Sequence, residues 1–360
     1  MSDSWPLLTV DLAAIEENAR RTVEKCAAAG IQVWGVTKGM SAREEIARAM
    51  AAGGVAGLAD SRLKNLVRLR AMKTGLPLTL LRIPMLSELP EAVQYADRSL
   101  ISSPGAIEAL ERACAHSGKT HEVIVMVDLG DLREGVWMDD EEGIAQIAGT
   151  LNNCPRVEFA GVAANFGCFG GTLPTREKLI RLENIGRELE RETGRPLSLV
   201  SGGSTSSLAL LEKGMIPSGV NNLRIGEAIL LGIDVTNSRS IPWLKQGTMW
   251  LEAEIVEIMR KPAAPVGPRG SDAFGGKPRF EDRGLRLRAI VAAGRQDVRI
   301  EGLTPELEGV RILGASSDHM ILDAEDCPRS LALGDKLKFF PDYGAMLALA
   351  TSPYVTYKMV

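Results

Sequence analysis

Short apolar runs alternate with longer amphipathic stretches along the first two thirds of the chain. Each run is apolar throughout, which is typical of parallel strands whose outer face is covered. The stretches between the runs place apolar residues three and four positions apart, as amphipathic helices do. The pattern predicts eight strands, at residues 32–38, 55–60, 78–83, 99–103, 122–130, 158–167, 197–203 and 221–226.

Strands that alternate with helices in this way predict an α/β fold, a (β/α)8 TIM barrel over residues 1–240. An open, doubly wound sheet is the alternative. It is weakened because no GxGxxG motif for a dinucleotide follows the first strand. A helix at residues 11–30 precedes that strand, and the residues before the helix could instead join the domain that follows the barrel.

The pattern changes after residue 240. Strand-like segments then follow one another without helical stretches between them, at residues 248–260, 284–294, 309–324 and 335–341. We therefore predict a C-terminal all-β domain over residues 241–360. A loop rich in proline and glycine, residues 261–284, is longer than a simple connection needs, as functional or disordered loops are.

The composition narrows the classes of partner. With 360 residues, 45% of them hydrophobic, the chain can bury a large core and form two domains. Its formal net charge is -4 and its basic residues are scattered, so we expect no nucleic-acid partner and no membrane partner. The five cysteines form no CxxC pair, which argues against disulfides or structural zinc. Because the N-terminus lacks the pattern of a signal peptide, we expect a cytoplasmic protein.

Polar residues stand at the ends of four predicted barrel strands. Lys38 ends the first strand, Arg133 follows the fifth, Asn165 lies near the end of the sixth, and Arg224 lies in the eighth. The active site of a TIM barrel lies at the C-terminal ends of its strands, so these side chains are candidate site residues. Taken singly, a lysine at a strand end is usually solvated, and an arginine there usually belongs to a structural ion pair.

A segment of small and hydroxyl residues, SGGSTSS at 201–207, follows the seventh strand at a predicted helix start. The amides and the positive dipole end of a helix start attract phosphate groups. Gly226, after the eighth strand, adds a place where backbone can approach a ligand closely. The alternative is an ordinary serine cap with glycines that serve the turn.

These features together suggest a cofactor. The sequence has a lysine at one strand end, a phosphate-binding segment at the seventh and eighth strands, and no metal-ligand cluster. This combination suggests pyridoxal 5′-phosphate (PLP), held by Lys38 as a Schiff base. Burial would lower the pKa of the lysine, as an attacking amine requires. We expect no metal in the site.

Several longer segments carry a more specific signal, namely VWGVTKGM, DLGDLREGV, NFGCFGG, VSGGSTSS, LRIGEAILLG, GSDAFGG, AAGRQDV and GASSDH. They resemble the alanine racemase fold of PLP enzymes, and more closely its ornithine racemase branch. The resemblance implies a PLP-dependent racemase of a free amino acid, a dibasic one such as ornithine, lysine or arginine. It also implies a homodimer in which the β domain of one subunit completes the active site of the other.

The resemblance assigns roles to the candidate residues. Lys38 would be the Schiff-base lysine and the base on one face of the substrate. Arg224 would face the pyridine nitrogen and leave it unprotonated, because a guanidinium does not give up its proton. Arg133 would contact the ring hydroxyl, and Asn165 would lie against the ring where alanine racemases carry histidine. The phosphate would be held by Ser204, by the amides near Gly226 and Glu227, and by Tyr343.

Racemisation needs a second acid/base on the opposite face of the substrate. Alanine racemases take a tyrosine from the partner's β domain, in the region of the long loop, but none of the four tyrosines of this chain lies there. The candidates for the role, all from the partner subunit, are Asp272, Asp297, Asp318 and His319. A metal bound by His319 with Cys327 is an alternative that lacks an evident third ligand.

Other functions are compatible with the same fold. One is alanine racemase activity, and another is a PLP-dependent lyase of the D-threonine aldolase or D-serine dehydratase type, which would need a metal. A PLP homeostasis protein is the non-enzymatic alternative, but the small proteins of that kind lack the β domain predicted here. A TIM-barrel lyase with a Schiff-base lysine and no cofactor is the remaining alternative.

Overall fold

The computed structural model describes residues 5–360, which form two compact units. The first unit is Leu12–Gln246, and the second joins the residues up to Asp11 to Gly247–Val360. Among the described residues, no helix is both long enough and apolar enough to cross a membrane.

The strands and helices are numbered in chain order. The strands are β1 Leu7–Val10, β2 Gln32–Val36, β3 Gly57–Asp60, β4 Leu78–Leu80, β5 Arg98–Ile101, β6 His121–Asp128, β7 Val136–Trp137, β8 Val157–Ala163, β9 Leu199–Ser201, β10 Asn222–Ile225, β11 Ile233–Asp234, β12 Arg239–Ser240, β13 Met249–Pro262, β14 Leu285–Val291, β15 Leu303–Pro305, β16 Arg311–Ala315, β17 Met320–Asp323, β18 Lys336–Pro341 and β19 Thr356–Met359. The α-helices are α1 Leu12–Ala27, α2 Glu44–Ala52, α3 Leu63–Ala71, α4 Leu89–Tyr95, α5 Pro104–Ser117, α6 Glu141–Asn153, α7 Arg176–Thr193, α8 Leu208–Glu212, α9 Glu227–Leu231 and α10 Tyr343–Thr351. Short 3-10 turns lie at Lys38–Met40, Leu86–Glu88, Thr205–Ser207 and Ile300–Gly302.

A closed ring of parallel strands forms the centre of the first unit. The strands follow the order β2, β3, β4, β5, β6, β8, β9, β10, and β10 returns to pair in parallel with β2. The short strand β7 pairs with β6 in addition. Each of the eight predicted apolar runs overlaps one strand of this ring, so the predicted (β/α)8 barrel is confirmed.

Apolar side chains fill the barrel and cover it. Alternate residues of β6 belong to two different clusters. Val123, Val125 and Val127 pack with buried residues of the helices. Ile124 and Met126 belong instead to a separate buried cluster of strand residues, which also contains Trp34, Val36, Ala59, Leu81, Leu100, Ala163 and Leu199. Burial of one of the larger apolar side chains contributes about 1.5–3 kcal/mol to the stability of the fold. The two clusters therefore stabilise the positions of the barrel strands.

The second unit is built around an antiparallel sheet. Its strand order is β15, β18, β13, β14, β17, β16. Strand β1, from the beginning of the chain, pairs antiparallel with β13 and parallel with β19. The predicted C-terminal β domain is therefore confirmed as a sheet, and the predicted segment 309–324 is a hairpin of β16 and β17.

Helix α10 of the second unit was not predicted from the sequence. Its sequence, YGAMLALAT, is rich in alanine and leucine, which favour a helix. Asp342 caps its start, because the carboxylate accepts a hydrogen bond of 2.7 Å from the amide of Ala345. The described part of the second unit thus combines its antiparallel sheet with the α-helix α10.

Candidate active site

The predicted barrel residues lie at one end of the ring. Lys38 comes two residues after the last residue of β2, and Asn165 two residues after the last residue of β8. Arg224 lies within β10, and Arg133 lies in the loop after β6. Because the strands are parallel, their C-terminal ends meet at the same edge of the barrel. The sequence-predicted residues Lys38, Arg133, Asn165 and Arg224 therefore share one region.

A buried carboxylate fixes the turn that carries Lys38. Thr37 donates from Oγ1 to Asp60 Oδ2 at 2.7 Å, and its amide donates to Ala59 O at 3.0 Å. Asp60, at the end of β3, also accepts hydrogen bonds from the amide of Arg62 and from Asn65 Nδ2. Burial raises the pKa of Asp60, and the hydrogen bond from Thr37 opposes that rise. The anchor holds the backbone immediately before Lys38.

The half-buried amine of Lys38 has a pKa below its ordinary value. Burial contributes most of the change, because it disfavours the charged form. The positive charges of Arg133 and Arg224 lower the pKa further, while Cys168 and Asp60 act in the opposite direction. A lowered pKa leaves more of the amine unprotonated, which suits attack on a carbonyl group and proton transfer.

Arg224 is buried in a network of hydrogen bonds. Its Nη2 donates to Ala164 O at 2.7 Å and to Asn165 Oδ1 at 2.8 Å, and its Nη1 donates to Ser201 Oγ at 2.5 Å. Ser201 in turn donates to Asn222 Oδ1 at 2.5 Å. Burial lowers the pKa of Arg224 to about 10, so the guanidinium stays protonated at neutral pH. These contacts use three of its five N–H donors, which leaves donors for a ligand.

Glu134 connects Arg133 to this network. Both Nε and Nη2 of Arg133 donate to the Glu134 carboxylate. Asn165 Nδ2 donates to Glu134 Oε1 at 2.7 Å. A continuous chain of hydrogen bonds therefore runs from Arg133 to Arg224. Its side chains come from the loop after β6, the end of β8 and strand β10.

The serine-rich segment lies beside the start of α9. Ser204 precedes the 3-10 turn Thr205–Ser207, and Thr205 Oγ1 accepts a hydrogen bond of 3.2 Å from the amide of Ala228. This bond brings together two of the predicted phosphate-binding segments, one with Ser204 and one with Gly226 and Glu227.

One observation at the serine-rich segment fits a bound anion, and a second concerns the packing of Gly226. The Ser206 hydroxyl is 1% exposed and has no hydrogen-bond partner among residues 5–360. At Gly226, an added Cβ would lie 3.1 Å from Val36 O and from Val36 Cβ, which is tighter than most such contacts, so the glycine lets the start of α9 lie close against the end of β2. An unpaired buried hydroxyl is costly, and an acceptor oxygen of a ligand would satisfy it.

The second unit holds the predicted residues Asp272, Asp297, Asp318, His319 and Tyr343. Asp272 is exposed, and its carboxylate accepts hydrogen bonds from two amides of its own loop. Asp297 is buried and accepts from the amide of Gly294 at 2.8 Å. Burial raises the pKa of Asp297, while that hydrogen bond opposes the rise. These carboxylates therefore stabilise their own turns.

Asp318 and His319 occupy the turn between β16 and β17. Asp318 accepts hydrogen bonds from Gln296 Nε2 at 2.9 Å and from Ser317 Oγ at 2.5 Å. The His319 imidazole is exposed and makes no hydrogen bond to another residue within 5–360. Tyr343 is the first residue of α10. In the described part of the chain, no group of three or more His, Cys, Asp or Glu side chains is placed to hold a metal ion.

The sequence reasoning missed several residues of this region. Asp60 ends the second predicted strand, and Glu134 directly follows Arg133 after the fifth, so an acidic residue at or shortly after a strand end was the signal that could have found both. Asp131 was also missed. It is 1% exposed, and its carboxylate accepts hydrogen bonds from four amides of the loop after β8, those of Gly167, Cys168, Phe169 and Thr172.

Comparison with known proteins agrees with this arrangement. The family described as "Alanine racemase, N-terminal domain" matches residues 10–233. The chain is 43% identical over 351 residues to the lysine racemase of Thermotoga maritima, covering 98% of this chain and 97% of that protein. It is 40% identical over 353 residues to the ornithine racemase of Acetoanaerobium sticklandii, covering 98% of each. The solved alanine racemase of D-cycloserine-producing Streptomyces lavendulae shares the fold, with a TM-score of 0.77 at 17% identity over 100% of this chain and 98% of that one.

Proposed function

Because the chain belongs to the alanine racemase N-terminal domain family, we propose that it is a PLP-dependent racemase of a free dibasic amino acid. The observation that carries the proposal is the half-buried amine of Lys38, with its lowered pKa, at the barrel end that also holds Arg133, Asn165 and Arg224. The two relatives that support the dibasic substrate are a lysine racemase and an ornithine racemase.

The barrel residues suit the parts of PLP. The Lys38 amine would bond to the aldehyde carbon, the Arg224 guanidinium would face the ring nitrogen, and Arg133 would contact the ring hydroxyl. Asn165 would lie against the ring. The phosphate would be held by Ser204, the amides of Gly226 and Glu227, and Tyr343. When bound, PLP supplies an electron sink that makes the substrate Cα proton acidic.

Two side chains would move the proton. Lys38 Nζ takes the Cα proton on one face of the substrate or returns it there. We assign the second acid/base, from the partner subunit, to His319, because its imidazole is exposed and can both accept and donate a proton. Asp272 and Asp318 remain candidates, but their carboxylates already accept hydrogen bonds from their own surroundings.

Exchange of the Cα proton in deuterated water tests the function. Protein with added PLP is incubated with L-lysine, L-ornithine or L-arginine, and deuterium uptake and optical rotation are followed separately. We expect both to change with at least one of these substrates and neither to change with Lys38→Ala. Exchange without inversion would contradict a racemase, and no reaction with any dibasic amino acid would contradict the substrate class.

The shared site of a homodimer is tested by mixing inactive variants. We expect Lys38→Ala and His319→Gln each to lose racemisation. After subunit exchange in equal amounts, half of the dimers would carry one variant of each kind and one intact site, so about a quarter of wild-type activity should return. Absence of any recovery, with dimers shown by light scattering to have exchanged, would contradict a site completed by the partner.

A further inference from the structure

The carboxylate of Glu134 contacts two proposed cofactor residues at once. It accepts from two nitrogen atoms of Arg133 and from Asn165 Nδ2, and its side chain is only 19% exposed. Asn165 in turn accepts from Arg224. We propose that Glu134 is a positioning residue, which holds Arg133 and fixes the Asn165 amide and, through it, the Arg224 guanidinium. This inference rests on the proposed function, in which these three residues face PLP.

Hydrogen-bond chemistry permits only one orientation of Asn165 here. An ionised carboxylate only accepts hydrogen bonds, and a guanidinium only donates them. The Asn165 amide must therefore turn its NH2 group to Glu134 and its oxygen to Arg224. If the amide were flipped, its NH2 group would face the Arg224 guanidinium, which is also a donor. Its oxygen would face the Glu134 carboxylate, which is also an acceptor. A glutamine at position 134 has only one acceptor oxygen, so its NH2 group would face a donor of Arg133 or Asn165 that the carboxylate now satisfies.

Charge gives Glu134 a second effect. Arg133 and Arg224 both lower the pKa of Lys38, which shows that the three cationic groups influence one another. Burial lowers the pKa of Arg224, and the charge of Glu134 opposes that change. Burial also acts to lower the pKa of Arg133, but the hydrogen bond to Glu134, together with the charges of Cys168, Glu134 and Asp131, outweighs it. Glu134 thus favours the charged form of both guanidinium groups.

The connection between the two loops does not depend on Glu134. Asp131, from the same loop after β6, already binds the loop after β8 through its four amide hydrogen bonds. In addition, Thr172 Oγ1 donates to Gly130 O at 2.8 Å. A change at position 134 should therefore leave the loops in place while it alters the direction of Asn165 and Arg133.

Cofactor binding to the apo-protein tests this role. PLP is titrated into wild type, Glu134→Gln and the control Glu111→Gln, and melting temperatures of the apo-proteins are measured. Glu111 is a matched control, since its carboxylate also pairs with one arginine, Arg156, and is 16% exposed. We expect the PLP dissociation constant to rise about tenfold in Glu134→Gln and to change less than about twofold in Glu111→Gln.

Each outcome of the titration decides one question. If wild type does not bind PLP, the proposed function fails. If wild type binds and Glu134→Gln binds equally well, the positioning role fails while the proposed function stands. A Glu134→Gln apo-protein that melts well below the Glu111→Gln protein would also overturn the inference, because it would show a general structural role.

A double variant separates hydrogen bonding from misfolding. Asn165→Asp alone places two carboxylates against each other. In Asn165→Asp with Glu134→Gln, the glutamine can donate to the aspartate, which still accepts from Arg224. We expect the loss of PLP affinity in the double variant to be smaller than the product of the two single losses. A loss of PLP affinity in the double variant equal to the product of the two single losses would contradict the positioning role of Glu134.

Discussion

The two ends of the barrel each bury an ionisable side chain with a lowered pKa, and they do so in different ways. At the N-terminal ends of the strands, His121 of β6 is 2% exposed, and its Nε2 shares a hydrogen bond of 2.9 Å with Ser99 Oγ of β5. Burial lowers the pKa of His121 to about 4, and Asp97 opposes the change. At the C-terminal ends, Lys38 is half-buried among Arg133, Arg224, Cys168 and Asp60.

The two ends differ above all in the neighbours of these side chains. His121 and Ser99 form a neutral pair that keeps no charge in the interior, and this suits a structural role. Around Lys38 the charged groups are held by hydrogen bonds from different strands, so their positions are fixed before a ligand arrives. A lowered pKa therefore indicates a functional site only when other charged groups are arranged around it.

Removal of the Lys38 amine would have the largest effect on activity. We expect Lys38→Ala to lower kcat by at least about 1000-fold, because the proposed cofactor bond and the proposed proton transfer both use the Lys38 amine. The melting temperature should stay equal or rise, since the variant removes a poorly solvated cation. Steady-state racemisation and thermal melts provide the measurements. If Lys38→Ala kept activity within tenfold of wild type, the assignment of the functional site to this end of the barrel would be contradicted.

Loss of the Arg224 guanidinium should destabilise the fold. Arg224→Met leaves Ser201, Asn165 and Ala164 O without their donor, and we expect a loss of about 4 kcal/mol in the free energy of unfolding. Urea denaturation measures it. The control Arg156→Met removes an exposed arginine paired with Glu111 and should cost less than about 1 kcal/mol. Equal losses in both variants would show that the buried network adds no stability.

His121, at the N-terminal ends of the barrel strands, should make the free energy of unfolding depend on pH. The folded-state pKa of His121 is about 4 against an ordinary 6.5, so the unfolded chain takes up the proton first as the pH falls. Stability is therefore lost between pH 6.5 and about 4, by about 3 kcal/mol for this group.

Matched histidine variants isolate that contribution. Urea denaturation of wild type across this pH range should show a steeper fall than His121→Asn, whereas His116→Asn, which changes an exposed histidine, should follow wild type. Identical pH profiles for wild type and His121→Asn would contradict a buried neutral imidazole.

A smaller effect is expected at the anchor before Lys38. Thr37→Val removes the hydroxyl that donates to Asp60 and should cost about 2 kcal/mol in the free energy of unfolding. Thr37→Ser keeps the hydroxyl and should lose less. Chemical denaturation compares the two variants, and equal losses would assign the effect to packing and not to the hydrogen bond.

The barrel could be predicted from the sequence because its strands are continuous apolar runs, and each run maps onto one strand. The short helix α10 could not, since its start depends on the Asp342 cap and its nine residues follow directly on a strand. Lys38 and Arg224 were identifiable because each is a charged residue in an otherwise apolar run, Lys38 at its end and Arg224 within it.

Contacts across the chain account for what the sequence did not reveal. The importance of Glu134 depends on Asn165, 31 residues further along the chain, and that of His121 depends on Ser99, 22 residues before it. Neither partner is marked by spacing, because strand pairing around the barrel brings them together. Such contacts emerge only from the folded arrangement.

Mass spectrometry after borohydride reduction tests the central claim most directly. Protein loaded with PLP is reduced, digested and searched for a phosphopyridoxyl group on lysine. We predict one labelled peptide, the one that contains Lys38, and no label after Lys38→Ala. A label on a different lysine in wild-type protein, or none while racemisation proceeds, would contradict the assignment of the site.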